Sequence, residues 1–191
     1  MKKLTVLLLG SAASLPAFAN QPQAFTGTSV GMEVGTTRYK FDKDWPRTKS
    51  STDISLSVSH AFEFGNSQFI GEVEGKIKPI ATTVAKQDGV RIKEKSRYSV
   101  SYLQGYRSGS DVMPYAKIGY NESRFENKDN SQKAKARGYS VGFGAKYAVA
   151  PHLEMGVEYT HTRLKSVKKA SDGSRPTLRG NGLSTSIAYR F

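Results

Sequence analysis

The sequence predicts an all-β fold, an eight-stranded antiparallel up-and-down transmembrane β-barrel with short turns at one end and four long loops at the other. Three observations lead there. Eight segments alternate apolar and polar side chains with period two, which a strand does and a helix does not. The connections between them alternate short and long. No internal run reaches the ~18 apolar residues of a membrane-spanning helix.

The chain of 191 residues opens on an address. Met1-Lys2-Lys3 is positive, Leu4 to Leu9 is almost wholly apolar, and Ala17-Phe18-Ala19 has the small residues of a cleavage site. That is the pattern of a secretory signal, expected to be cut after Ala19. Residues 20–191 are then expected to form a single barrel domain. Cys is absent, which excludes a disulfide scaffold and a Cys-ligated metal.

The strands follow in order. Val30, Met32 and Val34 alternate with Gly31, Glu33 and Gly35. Ile54, Leu56, Val58, Phe62 and Phe64 oppose Asp53, Ser55, Ser57, Ser59 and Glu63, with His60 on the apolar side. Phe69, Val73 and Ile77 oppose Glu72, Glu74, Lys76 and Lys78. Tyr98, Val100, Tyr102 and Tyr106 oppose Arg97, Ser99 and Ser101. Ala116, Ile118 and Tyr120 oppose Lys117, Gly119 and Asn121. Tyr139, Val141, Phe143 and Tyr147 oppose Ser140, Gly142, Gly144 and Lys146. Leu153, Met155, Val157 and Tyr159 oppose Glu154, Gly156 and Glu158. Leu183, Ile187, Tyr189 and Phe191 oppose Gly182, Ser184, Ser186 and Arg190. The short links are residues 65–67, 107–111 and 148–151. The long ones are residues 38–49, 80–95, 122–137 and 163–179.

Alternation alone leaves open which face is inside. A soluble ligand-binding barrel points its apolar face inward; a membrane barrel points it at lipid. The polar face is rich in Gly and Ser, which suits the cramped interior of eight strands. Phe62, Phe64, Tyr106, Tyr147, Tyr189 and Phe191 gather at strand ends, as in an interfacial girdle. Both favour lipid outside.

The ending Ile187-Ala188-Tyr189-Arg190-Phe191 resembles the C-terminal signal by which outer-membrane barrels are recognised for insertion. Pro114-Tyr115-Ala116-Lys117-Ile118-Gly119-Tyr120 resembles the fifth strand of small barrels of the OmpA-type, OmpX/Ail and opacity families. Val141 to Tyr147, Ala150 to Leu153 and Gly156 to Tyr159 resemble their following hairpin. The resemblance implies integral residence in a bacterial outer membrane and Tyr189 and Phe191 as the signal read by the barrel-assembly machinery. It also implies adhesion or immune evasion as a function. The first half of the chain carries no family motif.

Charge separates two regions. The formal net charge is +13, and nearly all of the excess lies in the long connections. The export address removes nucleic acid as its partner. On the polar strand faces seven acids (Glu33, Asp53, Glu63, Glu72, Glu74, Glu154, Glu158) stand against six bases (Lys76, Lys78, Arg97, Lys117, Lys146, Arg190). Unpaired charge in a narrow lumen is costly. An internal ion-pair network is expected, with Glu72, Glu74 and Glu158 facing Lys117 and Lys146. Arg38, Lys40 and Lys43 of the first long loop and Arg163, Lys165, Lys168, Lys169, Arg175 and Arg179 of the last form a basic surface. Tyr39, Phe41, Trp45 and Phe125 are candidate aromatic anchors there. Lipopolysaccharide phosphates or an acidic host glycan or matrix protein are the expected partners.

Catalysis finds no constellation. His60, His152 and His161 are isolated, and Thr162 points away from its neighbour His161 in a strand, so the pair cannot be nucleophile and base. No metal or cofactor is expected. The functional expectation is a monomeric, non-enzymatic outer-membrane barrel with a filled, ion-paired lumen and basic surface loops. The alternatives are a narrow gated pore, with a pair such as Glu72 and Lys117 as gate, and a soluble periplasmic ligand binder.

Overall fold

Alternation of small polar and bulky apolar side chains fixes the two faces of each strand. In Ser50–Glu63 the side chains of Ser51, Asp53, Ser55, Ser59 and Ala61 are turned away from solvent, while Ile54, Leu56, Val58 and Phe62 are exposed. The computed structural model describes residues 25–41, 50–87, 90–108, 111–127, 133–167 and 177–191. The proposed signal and the loop cations Lys43, Lys168, Lys169 and Arg175 lie outside them.

The described strands are β1 (Gly27–Phe41), β2 (Ser50–Glu63), β3 (Phe69–Lys78), β4 (Thr82–Gln87), β5 (Val90–Tyr106), β6 (Val112–Asn127), β7 (Lys133–Ala150), β8 (Leu153–Ser166) and β9 (Thr177–Arg190). All pair antiparallel. β1 joins β2 on one side and β9 on the other, and the β3–β5 pairing closes the ring. Eight strands thus make a closed barrel. The ninth, β4, is a short addition at its outer end, paired with β5.

The apolar face points outward. Val100 is 62% exposed, Ile118 59% and Phe143 64%, within a belt of Val, Ile, Leu, Met and aromatic side chains running round the barrel. A water-soluble monomer rarely exposes so large an apolar surface. Lipid on the outside explains it, and the soluble ligand binder is set aside. On β9 the belt runs from Leu183 to Phe191. Those steps span about 27 Å along the strand, or about 20 Å of depth at the usual tilt. Crossing needs ~9–11 residues per strand. Strands of 14 to 18 residues therefore project beyond the bilayer at their outer ends.

The short-turn end of the barrel is closed by the seam between first and last strands. The Phe191 amide donates to the Thr28 carbonyl, and Arg190 Nη1 donates to the Gly27 carbonyl at 2.9 Å. Gly27 has φ +94°, and a Cβ there would lie 2.6 Å from the Phe191 carbonyl oxygen, so only glycine fits. Phe25 tucks beneath, packed with Ala61, Ile70 and Met113 inside the mouth.

The second long connection departs from expectation. Residues 80–95 were expected to be loop; instead β4 pairs with an outward extension of β5. Register shifts lie between Thr83 and Ala85 and between Glu94 and Ser96. The second shift matters. Glu94 and Arg97 have opposite parity in a regular strand. The bulge restores them to the same face and turns Glu94 into the barrel.

Candidate functional site

The lumen is filled by three tiers of paired charge. At the tier nearest the short turns, Arg190 Nη2 lies 2.9 Å from Glu154 Oε2 and 3.6 Å from Glu72. Lys146 and Ser59 also bond Glu72. In the middle tier Lys117 Nζ bridges Glu74 at 2.8 Å and Glu158 at 2.9 Å. Lys76 bonds Glu33 and stands 3.5 Å from Glu74. Tyr115 and Thr160 donate hydroxyl bonds to Glu158 at 3.0 and 2.9 Å. Tyr115 lies over Gly144, where a Cβ would be 2.7 Å from its ring, so the small residues of the polar face make room for the large ones. In the outer tier Lys78 Nζ sits 2.6 Å from Asp53 and 2.7 Å from Glu94. Arg97 grips both Glu94 oxygens, at 3.0 and 2.7 Å, and bonds Tyr39.

The geometry revises three expectations. Lys117 pairs with Glu74 and Glu158, whereas Glu72 belongs to Lys146 and Arg190, so Glu72 and Lys117 do not form a gate pair. Glu63 is exposed at the turn and pairs with Arg107 at 2.6 Å rather than facing the lumen. Glu94, assigned to a loop, is fully buried in the outer tier. Its signal in the sequence was the apolar Ile92 two positions before it, masked by the bulge.

Apolar clusters sit beyond the charges at each end. At the outer end Tyr39, Val84, Ile92, Ala136, Leu164 and Leu178 pack together, with Phe125 against them. Tyr39 and Phe125 are therefore part of an internal cap, not loop anchors: β1 and β6 extend far enough that their inward parity continues past the membrane. Between the caps lies a cavity of about 70 Å³, lined by Glu33, Lys76, Lys117 and hydroxyl-bearing residues. That is room for a few water molecules.

The remaining predicted cations occupy the outside. Arg38, Lys40, Lys165 and Arg179 are exposed, and Arg163 is half-buried, all on the lipid-facing parity of β1, β8 and β9. They belong to strands rather than loop tips, one or two steps beyond the apolar belt. Tyr159 and His161 both reach Asn181 Oδ1, at 3.2 and 2.7 Å, along the lower border of this region. Tyr189 and Phe191 face outward at the opposite rim, their rings 5.1 Å apart. Among the described residues no group of three His, Asp or Glu side chains is placed to hold a metal. Chemically, the rim offers guanidinium and ammonium donors for phosphate or sulfate.

The sequence matches the outer membrane protein beta-barrel domain family over residues 5–191. No curated protein matches it. Among solved structures, Neisserial surface protein A superposes with a TM-score of 0.59 at 16% identity, covering 87% of this chain and 98% of that one. Ail, the attachment invasion locus protein of Yersinia pestis, gives 0.53 at 18% identity, covering 87% and 99%. Ail in complex with the heparin analogue sucrose octasulfate gives 0.59 at 16% identity, again covering 87% and 99%. At such identities the likeness is one of fold.

Proposed function

The chain belongs to the outer membrane protein beta-barrel domain family, and from that premise we propose that it is a non-catalytic surface barrel whose basic outer rim binds polyanions. The observation that carries this reading is the segregation of charge. Lumen charges are consumed by one another, whereas a set of cations is displayed at the outer strand ends. The barrel is a rigid holder, and recognition is placed at its rim and loops. The N-terminal segment directs export and is removed after Ala19, and Tyr189 and Phe191 present the insertion signal to the barrel-assembly machinery. The polyanions are lipopolysaccharide in the envelope and sulfated glycan or acidic matrix protein on a host. Support for the second comes from the Ail structure with a heparin analogue.

The test uses intact cells at matched surface levels. Cells carrying Lys165, Lys168, Lys169 and Arg175 all changed to Gln are compared with wild type for binding to immobilised heparin and matrix proteins. Binding that falls at least about tenfold supports the reading, since hydrogen bonds to charged groups contribute about 1.5–3 kcal/mol each. Undiminished binding removes the loop cations from it.

A narrow gated pore has one observation in its favour, the mid-lumen cavity. The apolar caps at both ends weigh against it, and planar-bilayer recording of the wild-type barrel decides.

A further inference from the structure

The lumen charges do not cancel in every tier. Nearest the short turns, Glu72 and Glu154 meet Lys146 and Arg190, two against two. In the outer tier Asp53 and Glu94 meet Lys78 and Arg97, again two against two. The middle tier sets Glu33, Glu74 and Glu158 against Lys76 and Lys117 only. Among the described residues one carboxylate is therefore left over. None of the three histidines balances it, since they bond Thr28, Arg190 and Asn181 instead. A net charge enclosed in a narrow lumen with lipid outside is costly.

Two features show where the balancing charge belongs. The first is space. The cavity of about 70 Å³ lies against this tier, with Glu33, Lys76, Lys117 and Glu158 in its wall. Lys76 takes only Oε2 of Glu33. The second is an idle oxygen. Ser101 is 3% exposed and belongs to the same wall, and its Oγ has no hydrogen-bond partner. Gly119 stands opposite it on β6, where a Cβ would crowd the Ser101 and Ser140 hydroxyls. Glycine thus keeps this side of the chamber open. A buried polar oxygen is costly to leave unmade, and hard cations take carboxylate, hydroxyl and water oxygens as ligands. A proton on one carboxylate balances the charge too, but it needs no chamber and gives Ser101 no partner. A divalent ion overshoots by one charge.

We propose that the chamber holds one alkali-metal cation, sodium or potassium, which neutralises the surplus carboxylate of the middle tier. Glu33 supplies the charge, Ser101 a neutral oxygen, and water the rest of the shell. The apolar caps at both ends make the ion a resident taken up as the barrel folds, not a permeant one.

An ion bound only by the folded barrel lowers the unfolding constant by the factor 1 + [ion]/Kd. The experiment is urea unfolding of the purified, folded barrel in phosphatidylcholine vesicles at fixed pH and ionic strength. Sodium or potassium chloride is replaced stepwise by N-methylglucamine chloride, whose cation is too large for the chamber. Raising sodium or potassium from about 15 to about 150 mM is expected to lower the wild-type unfolding constant at least about threefold, approaching tenfold for a single ion near saturation. E33Q, checked as folded by its heat-dependent gel mobility, has no surplus to balance and is expected to unfold alike in every mixture. S101A keeps the charge and is expected to show a smaller fall. Wild type indifferent to the replacement overturns the proposal without needing any variant. Such indifference joined to a loss of stability as pH rises puts a proton in the ion's place, which overturns it as well. Cation dependence that survives in folded E33Q places the ion elsewhere and overturns it, and an unchanged dependence in S101A overturns the assignment to this chamber.

Discussion

Lys117 is held between two carboxylates in a lumen whose middle tier sets Glu33, Glu74 and Glu158 against Lys76 and Lys117. The two ends of such an arrangement differ in consequence. Removing the ammonium leaves carboxylates facing each other where water is scarce, which costs about 3–5 kcal/mol. Lys117→Met is therefore expected to lower unfolding free energy by that amount in urea titrations of the barrel folded in vesicles. Glu33→Gln removes a carboxylate from a tier that has one to spare and leaves Lys76 near Glu74 and Glu158. It is expected to change stability by less than about 1 kcal/mol in the same titration, the range of a pair whose partner keeps other counterions. Within the membrane belt, which residues point inward was legible from parity alone. Which inward residue meets which was not, because partners are set by height around a closed ring, and height depends on register that one strand's sequence does not carry. That is why Glu72 goes to Lys146 and Arg190 instead of Lys117.

Among the elements, β5 shows how one inserted residue decides a site. The shift between Glu94 and Ser96 leaves Lys95 outside, 51% exposed at its side chain, and sends Glu94 inside to Lys78 and Arg97. Lys95→Ala touches only a surface pair and is expected to cost no more than about 0.5 kcal/mol. Glu94→Gln removes the carboxylate that both Lys78 and Arg97 hold and leaves two buried cations with Asp53. That substitution is expected to cost about 3 kcal/mol or more, read by the same urea titration. Period two in the membrane belt was plain because both faces are uniform there. Above the belt both faces are wet or mixed, so alternation loses contrast, and the outer ends of β1, β5 and β6 read as loop. The seam strand makes its own prediction. Phe191 contributes an outward ring and an amide bonded to Thr28. Removing it is expected to reduce the folded fraction recovered in outer membranes several-fold, measured by heat-dependent gel mobility.

For the whole molecule, two apolar caps and three charged tiers occupy the axis of the barrel. Planar-bilayer recordings of wild type are expected to show no stepwise conductance. Lys117→Met is expected to open none, because it loosens the middle while Phe25 and Met113 still block one end and Tyr39 and Leu164 the other. The architecture was readable in advance because lipid and a narrow interior impose opposite demands on alternate residues. The caps were not, since Phe25, Tyr39 and Leu164 look like ordinary apolar residues near strand ends.

The overhang of the strands sets a distance. From Tyr139, an exposed ring on the outward face of β7, to Lys133, β7 continues for six residues while paired to β6 up to Glu126. That is about 20 Å of strand, or about 15 Å of height at the usual tilt. The loops are thus mounted on a stiff collar rather than at the lipid surface. Two effects follow for any partner that docks on them. Less wobble has to be frozen out at the moment of contact, and the partner is held off the membrane by a fixed standoff, as on a pedestal.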